Sequence, residues 1–260
     1  MPVRLHAMRL ARSVVNRVGY DVARVREINP EGARLVGLLE RLGVECALDV
    51  GANSGQTGRY MRRIGYKGTL ISFEPVRSAH SLLVAEAKGD PDWIVAPRCA
   101  IGAKSGTIEL NVSSSSESSS VIPLTSELLD AVTSARYVER ERVDLSTLDD
   151  AALRYVKGRR TYLKVDTQGY EGEVLTGATE LLHLCLCVKL EVSFEDLYAG
   201  QPLFREIWRM MEDRGFALWD LESGLRGTDS KLLQADAVFV RRSTEAKQPR
   251  ESSSGSLDRP

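Results

Sequence analysis

Apolar and polar positions recur along the chain in two rhythms. Short runs rich in β-branched and aromatic residues (ECALDVGA, GTLISFEP, DWIVAPRCAIG, TYLKVDTQG, LCLCVKLEVSF, FALWDL and ADAVFV) are separated by stretches of helical periodicity near residues 54–64, 77–88, 170–181 and 203–214. This alternation predicts a sheet wound through crossover helices. The first, fourth and fifth runs are almost continuously apolar, as central strands covered on both faces should be. In the last helical stretch Phe204, Ile207, Met210 and Met211 form an inward stripe, with Arg205, Glu206, Arg209 and Glu212 facing out. The final two runs are close enough to pair as a hairpin, which predicts an antiparallel strand at one edge. The expected fold is therefore α/β: a seven-stranded, mostly parallel sheet with helices on both faces. Ligands of such sheets bind beyond the carboxyl ends of the strands, where strand order reverses.

The two ends read differently. Within MPVRLHAMRLARSVVNRVGY, Arg4, Arg9, Arg12 and Arg17 accompany Leu5, Met8, Val15 and Val18 at helical spacing, which predicts a basic amphipathic helix. Two readings stay open for it: a surface helix packed on the domain, or reversible peripheral contact with the inner face of a membrane. The last residues are rich in Ser, Pro and charge and cannot offset the entropy of ordering. The expected organisation is an N-terminal helical extension over 1–43, a domain over 44–243 with an insertion near 106–145, and a disordered tail over 244–260.

Composition narrows the setting. With 43% hydrophobic residues the chain can build a full core, and 35 Lys and Arg against 36 Asp and Glu give a net charge of −1, so no general attraction to nucleic acid is expected. Cys46, Cys99, Cys185 and Cys187 have neither the density nor the spacing of a disulfide framework or a four-thiolate zinc site, and a reducing, cytoplasmic location is expected. No apolar run reaches the length of a membrane span, and no secretory signal is visible.

Chemistry concentrates at predicted strand ends. The first strand runs into Asp49-Val50-Gly51-Ala52-Asn53-Ser54-Gly55. Gly51 and Gly55 permit a tight turn, Asn53 tolerates positive φ, and the exposed amides of the following helix can meet a polar ligand group. The loop lacks G-x-G-x-x-G and G-K-[ST], and its leading acid suits a cationic amino group better than a pyrophosphate. At the end of the second strand Glu74 is placed to accept hydrogen bonds from both hydroxyls of a ribose. Ala100 and Ile101, at the end of the third, offer small side chains and backbone to an adenine edge. Together these describe a site for S-adenosylmethionine.

The same residues carry a resemblance. Asp49-Val-Gly-Ala-Asn-Ser-Gly55, Phe73-Glu74-Pro75, Ala100-Ile101-Gly102 with Gly106, and Leu163-Lys-Val-Asp-Thr-Gln-Gly-Tyr-Glu171 with Glu173-Val-Leu-x-Gly177 resemble the FkbM family of S-adenosylmethionine-dependent methyltransferases over residues 44–241. The resemblance implies a class I, Rossmann-like methyltransferase fold and methyl transfer to a hydroxyl oxygen. The acceptors it implies are sugars and polyketide-derived or lipid-linked hydroxyls.

Methylating an alcohol requires its oxygen to lose a proton as it attacks in line, so a base within hydrogen-bond reach is expected. Asp166 is the first candidate, as the base or the group orienting one, with a structural or ammonium-binding role as its alternative. Glu171 is read as a cap, a partner of Lys164 or, less favoured, a catalytic group. Glu191 falls beside Asp166 if their strands are neighbours. Two carboxyls there are either a base and its partner with pKa values pushed apart, or ligands for a divalent metal; the absence of a paired Asp-Asp makes metal dependence not expected. His80 and His183 are read as packing or surface residues, and Cys185 and Cys187 as core.

After the third strand, Thr107–Val112 alternates as an extra strand, and Val138–Leu145 as another. The SSSSESSSV run between them is read as a flexible loop or an acceptor-binding lid. In the resemblance such a segment precedes Thr147-Leu148-Asp149. The resulting expectation is an S-adenosylmethionine-dependent O-methyltransferase acting on a sugar hydroxyl in a glycolipid or polyketide-type secondary metabolite. Two rivals are a nicotinamide-dependent oxidoreductase, disfavoured by the absent dinucleotide fingerprint and Tyr-x-x-x-Lys pair, and a noncatalytic cofactor- or lipid-surface-binding module.

Overall fold

The computed structural model describes residues 30–113, 119–125, 128–129 and 137–242; the expected basic helix, the tail and part of the serine run lie outside them. A helix α1 (Pro30–Leu42) leads into β1 (Cys46–Val50), α2 (Gln56–Ile64), β2 (Thr69–Phe73), α3 (Arg77–Ala87) and β3 (Trp93–Val95). The chain continues through β4 (Ala100–Ile101), β5 (Gly106–Ser113), β6 (Tyr137–Ser146), α4 (Leu148–Val156) and β7 (Thr161–Val165). It ends with α5 (Glu171–Thr176), α6 (Thr179–Leu184), β8 (Cys185–Ser193), α7 (Phe204–Asp213), β9 (Phe216–Ser223) and β10 (Gln234–Arg241).

Seven strands form one sheet in the order β3-β2-β1-β7-β8-β10-β9, and β4-β6-β5 form a small second sheet. The three nearly continuous apolar runs become β1, β7 and β8, adjacent and parallel in the middle. The order reverses between β1 and β7, so the crevice for a ligand opens above these two strands. One face is covered by α1, α2 and α3, whose Leu35, Leu39, Met61 and Leu83 pack on Ala47, Leu70 and Tyr162. The other is covered by α4 to α7 through residues such as Leu148, Val174, Leu181, Ile207 and Met211. This is the fold class expected. The stripe read in the last helix is also observed: Ile207 and Met211 are buried while Arg205, Glu206, Arg209 and Glu212 are exposed.

Three expectations are corrected. The antiparallel strand is not at the edge: β10 inserts between β8 and β9, pairing antiparallel with both. Its run, Gln234–Arg241, is almost entirely buried, as an interior position demands. The single run DWIVAPRCAIG splits, because Pro97 has no N–H to continue the ladder after Ala96 N donates to Ser72 O at 2.9 Å; β3 stays in the large sheet while β4 joins β6. The helix expected over 170–181 breaks at Gly177, where a Cβ would stand 2.0 Å from the carbonyl oxygen of Gly102. Beyond the break, Asp149 accepts hydrogen bonds from the amides of Glu180 and Leu181 at the start of α6 (3.0 and 2.8 Å), and Thr147 caps α4 through Asp150 N at 3.0 Å. The Thr-Leu-Asp triplet is thus structural.

Extra strands expected at 107–112 and 138–145 are β5 and β6, paired antiparallel. Their core of Leu110, Val112, Val143 and Leu145 seats on Val76 and Ala79 at the start of α3. No helix among the described residues is long and apolar enough to cross a membrane.

Candidate active site

Above the β1–β7 junction lies a cavity of about 290 Å³. Gly51, Asn53, Glu74, Ala100, Ile101, Asp166 and Glu191 all line it, drawn from the ends of β1, β2, β4, β7 and β8. Two of the expected binding residues do not: Asp49 and Gly55 stand behind the wall. Gly55, with φ at 92°, faces Trp93 and Leu83, where a Cβ would come within 3.1 and 3.2 Å, so it serves packing of α2 on the sheet. Gly51, with φ at 82°, is fixed by its neighbour strand, because a Cβ there would lie 1.8 Å from the carbonyl oxygen of Asp166.

The amides of the loop itself are taken up by the fold, while Gln56 and Thr57, which open the following helix, line the cavity. Gly51 N and Ala52 N both donate to Phe73 O at 3.0 Å, and Gly55 N to Ala52 O at 2.9 Å. Asn53 N donates to Glu74 Oε2 at 2.7 Å and Ser54 N to Asn53 Oδ1 at 2.6 Å. Asn53 takes positive φ, 47°, to close this turn. Every N–H from Gly51 to Gly55 thus has a partner, either within the loop or at Phe73 and Glu74 at the end of β2. Glu74 is 5% exposed, and its other oxygen accepts from Val76 N at 2.8 Å. Burial nevertheless pushes its carboxyl up to about 7.

Asp49 is buried, and neither of its oxygens accepts a hydrogen bond of standard geometry. Lys164 Nζ stands 3.7 Å away and Thr57 is a further polar neighbour. Burial raises the Asp49 carboxyl, with Lys164 acting against it. A buried carboxyl with two unsatisfied oxygens one layer behind a cavity wall is an incomplete arrangement.

Lys164 was not singled out from the sequence as a site residue, yet a lysine in a central, apolar strand has to find acidic partners. It lies between Asp49 and Asp166, reaching Asp166 Oδ2 at 3.0 Å. Burial alone would raise the Asp166 carboxyl, but Lys164 and the Gln168 amide outweigh it and hold Asp166 below its ordinary range. Its side chain is 29% exposed, into the cavity. Gln168 also escaped the sequence reading. It sits at positive φ, 56°, and its Nε2 donates to Asp166 Oδ1 at 2.7 Å and to Glu191 Oε2 at 2.9 Å. Because β7 and β8 are parallel neighbours, the two acids do meet at one rim, and Gln168 bridges them.

Glu171 is a cap: its Oε1 accepts from Thr167 N at 2.8 Å, Thr167 Oγ1 at 3.2 Å and Gly169 N at 3.3 Å. Lys164 takes Asp49 and Asp166 instead. His80 Nε2 contacts Ala96 O at 3.0 Å within the fold, and His183 is exposed in the last turn of α6, at the opposite end of the sheet. Cys185 and Cys187 are buried in β8. Among the described residues no group of three or more His, Cys, Asp and Glu side chains is disposed to hold a metal ion. From the serine run, Ser119 and Ser120 line the cavity, and Ser120 Oγ donates to Gln168 O at 2.6 Å.

The profile of the methyltransferase FkbM domain matches residues 49–218, from Asp49 to Leu218. The chain belongs to this family. Its members' domain thus spans the whole cavity wall, from the β1 loop through the Lys164–Glu171 turn to β8. No curated protein sequence matches the chain. Among solved structures the family fold is similar to that of Aeropyrum pernix fibrillarin, determined with natively bound S-adenosyl-L-methionine: 14% identity, TM-score 0.45, covering 80% of this chain and 73% of that one. It is also similar to magnesium protoporphyrin IX methyltransferase from Synechocystis PCC 6803, determined with the same compound bound: 11% identity, TM-score 0.44, covering 83% and 78%.

Proposed function

We propose that this methyltransferase uses S-adenosylmethionine to methylate a hydroxyl of a sugar, within a glycolipid or a polyketide-type secondary metabolite, in the cytoplasm. The single observation that carries the reading is the presence, in one cavity, of a buried acid held by backbone amides (Glu74) and a second acid paired with a lysine (Asp166).

The residues fit the cofactor. Glu74 keeps lone pairs free for both ribose hydroxyls after accepting two amides. Ala100 and Ile101 flank the place for the adenine, and the Gly51–Asn53 turn borders the methionyl part. Asp49, behind the wall and ion-paired with Lys164, acts on the site through that lysine. The spent amides of Gly51 to Gly55 disfavour a dinucleotide.

When bound, the cofactor supplies an electrophilic methyl whose bonding pair returns to sulfur on transfer. Asp166 is kept ionised by Lys164 and Gln168, and it accepts the proton that the attacking hydroxyl loses as the new O–C bond forms. Ser119 and Ser120, from the serine run, complete the cavity on the acceptor side as a lid. For the basic stretch before α1 both readings stand: a helix packed on the domain, or a peripheral membrane contact that brings a lipid-linked acceptor within reach.

Calorimetric titration of S-adenosylmethionine and its demethylated product into the wild type and Glu74→Ala, with NADH as control, tests the cofactor. Binding of both sulfur compounds, lost in the variant and absent for NADH, is expected. No binding by the folded wild type would sink the proposal. Methyl transfer to a panel of glycosides then tests the acceptor.

A further inference from the structure

We infer that Glu191 meets the acceptor as an uncharged hydrogen-bond donor, and that the enzyme therefore selects acceptors with an oxygen adjacent to the hydroxyl it methylates. This rests on the proposed O-methyl transfer and adds to it a substrate class.

The geometry starts from Glu191 Oε2. It accepts from Gln168 Nε2 and from Gln234 Nε2, each at 2.9 Å. Both are amide donors, so Oε2 has no place for a proton. The first amide is held at both ends: Asp166, held ionised and able only to accept, takes its NH₂ group, and Tyr198 Oη donates to its Oε1. A proton on Glu191 therefore resides on Oε1, the oxygen neither amide uses, in a side chain that lines the cavity.

The surroundings keep that proton in place. Lys164 on β7 is committed to Asp166 and Asp49. Lys189, on β8 with Glu191, is bound to Glu222 of β9 at 2.5 Å and Asp236 of β10 at 2.9 Å. Glu191 thus faces Asp166, Glu171 and Asp236 without a cation of its own. Burial first, and then those three negative charges, push its carboxyl well above the ordinary range, and Lys164 offsets only part of this.

Asp166 and Glu191 then play opposite parts on one substrate. Asp166 takes a proton from the reacting hydroxyl; the O–H bond of Glu191 stays intact and points at a second oxygen. One amide group reaches both acids and brings the two carboxyls to one rim, which suits an acceptor whose two oxygens are neighbours: a vicinal diol, or a hydroxyl beside an ether. A site built around a polar partner rejects the analogue that lacks it, because the buried donor is left unpaired.

The test follows the carboxyl carbons of protein labelled with ¹³C-glutamate, wild type against Glu191→Gln, across pH 6 to 8. The resonance missing from the variant is expected at the protonated position at pH 7; an ionised position there overturns the inference. In parallel, methyl transfer from S-adenosylmethionine is measured to two methyl glycosides, one with vicinal hydroxyls and one with the neighbouring hydroxyl removed. The wild type is expected to lose roughly tenfold or more in kcat/KM on the deoxy compound, and Glu191→Leu to discriminate far less. Equal rates in the wild type overturn it. If neither glycoside is methylated, the carboxyl position decides. Calorimetry of S-adenosylmethionine on the same samples reports on the cofactor reading separately: no binding removes that reading and leaves the protonation result standing.

Discussion

Tyr198, thirty positions along the chain from Gln168, donates its hydroxyl proton to Gln168 Oε1 while the Nε2 of the same amide faces Asp166 and Glu191. Tyr198 itself is held in a small cluster with Leu128, Leu197 and Leu233, outside the main core. The hydrogen bond therefore carries the position of a peripheral loop into the centre of the site.

Tyr198→Phe should keep the fold, at a cost of about 1 kcal/mol, while leaving Gln168 Oε1 without its donor and the amide less firmly held against the acids. The expected result is a fall in kcat of about tenfold, with S-adenosylmethionine affinity nearly unchanged, and a shift of the acid limb of the pH–rate profile upward as Asp166 loses a donor. A variant with an unaltered profile would show that the hydroxyl does not position Gln168.

Asp166→Asn should lower kcat by about 10²- to 10⁴-fold, the usual range for losing a general base. Cofactor affinity should change only a few-fold, because Glu74 and the β1 loop are untouched. Steady-state rates and calorimetry separate the two effects.

Cofactor affinity should rise with pH through about 7. Burial raises Glu74 to about 7, and accepting two ribose hydroxyls favours its ionised form, so below that value binding must first expel a proton. The expected slope approaches tenfold per pH unit on the acid side. Titrations in buffers of different ionisation enthalpy should report proton release at pH 6 and almost none at pH 8.5.

Glu171→Gln should stabilise the protein at high pH. Burial pushes the Glu171 carboxyl up to about 7, above its unfolded value, so the folded state binds the extra proton and stability falls as pH rises from about 4.5 through 7. Glutamine can keep the oxygen that caps Thr167 and Gly169 while removing the buried charge. A gain of about 2–3 kcal/mol is expected at pH 8 and little change at pH 4.5. Urea unfolding at both pH values checks this, and a loss of stability at pH 8 would contradict it.

Gly51→Ala should destabilise by about 3 kcal/mol or more, since a positive φ and a steric overlap act together. Gly65→Ala, at a positive φ of 105° with open space around it, should cost clearly less. Comparing the two by denaturant midpoint isolates the contact with Asp166 from the turn.

Much of this architecture was legible because burial on both sides of β1, β7 and β8 forces continuous apolar runs, and their order follows from the crossovers. The split after Val95 was not, because a proline inside an apolar stretch marks the end of a ladder without saying which sheet receives the next residues. The interior position of β10 also escaped: antiparallel pairing is local, but insertion between two strands is set by neighbours distant in sequence. In the site, Glu74, Asp166 and Glu191 could be placed because each ends a strand. Gln168, Tyr198 and Gln234 act through contacts between separate loops, which no spacing within one segment encodes. Lys164 did leave a trace, as a cation in a strand otherwise apolar. Gly51 and Gly55 were legible as turn residues, but their requirement for glycine comes from tertiary contacts with Asp166, Trp93 and Leu83.

The small β4-β6-β5 sheet closes its own core against the start of α3 and shares no strand with the large sheet. It contributes Ala100, Ile101 and Leu110 to the cavity, while Glu74, Asp166 and Glu191 are anchored elsewhere. The small sheet thus furnishes one wall of the site, and the large sheet its acids. Any shift in how this sheet seats on α3 therefore moves Ala100, Ile101 and Leu110 together, relative to acids that the large sheet holds still.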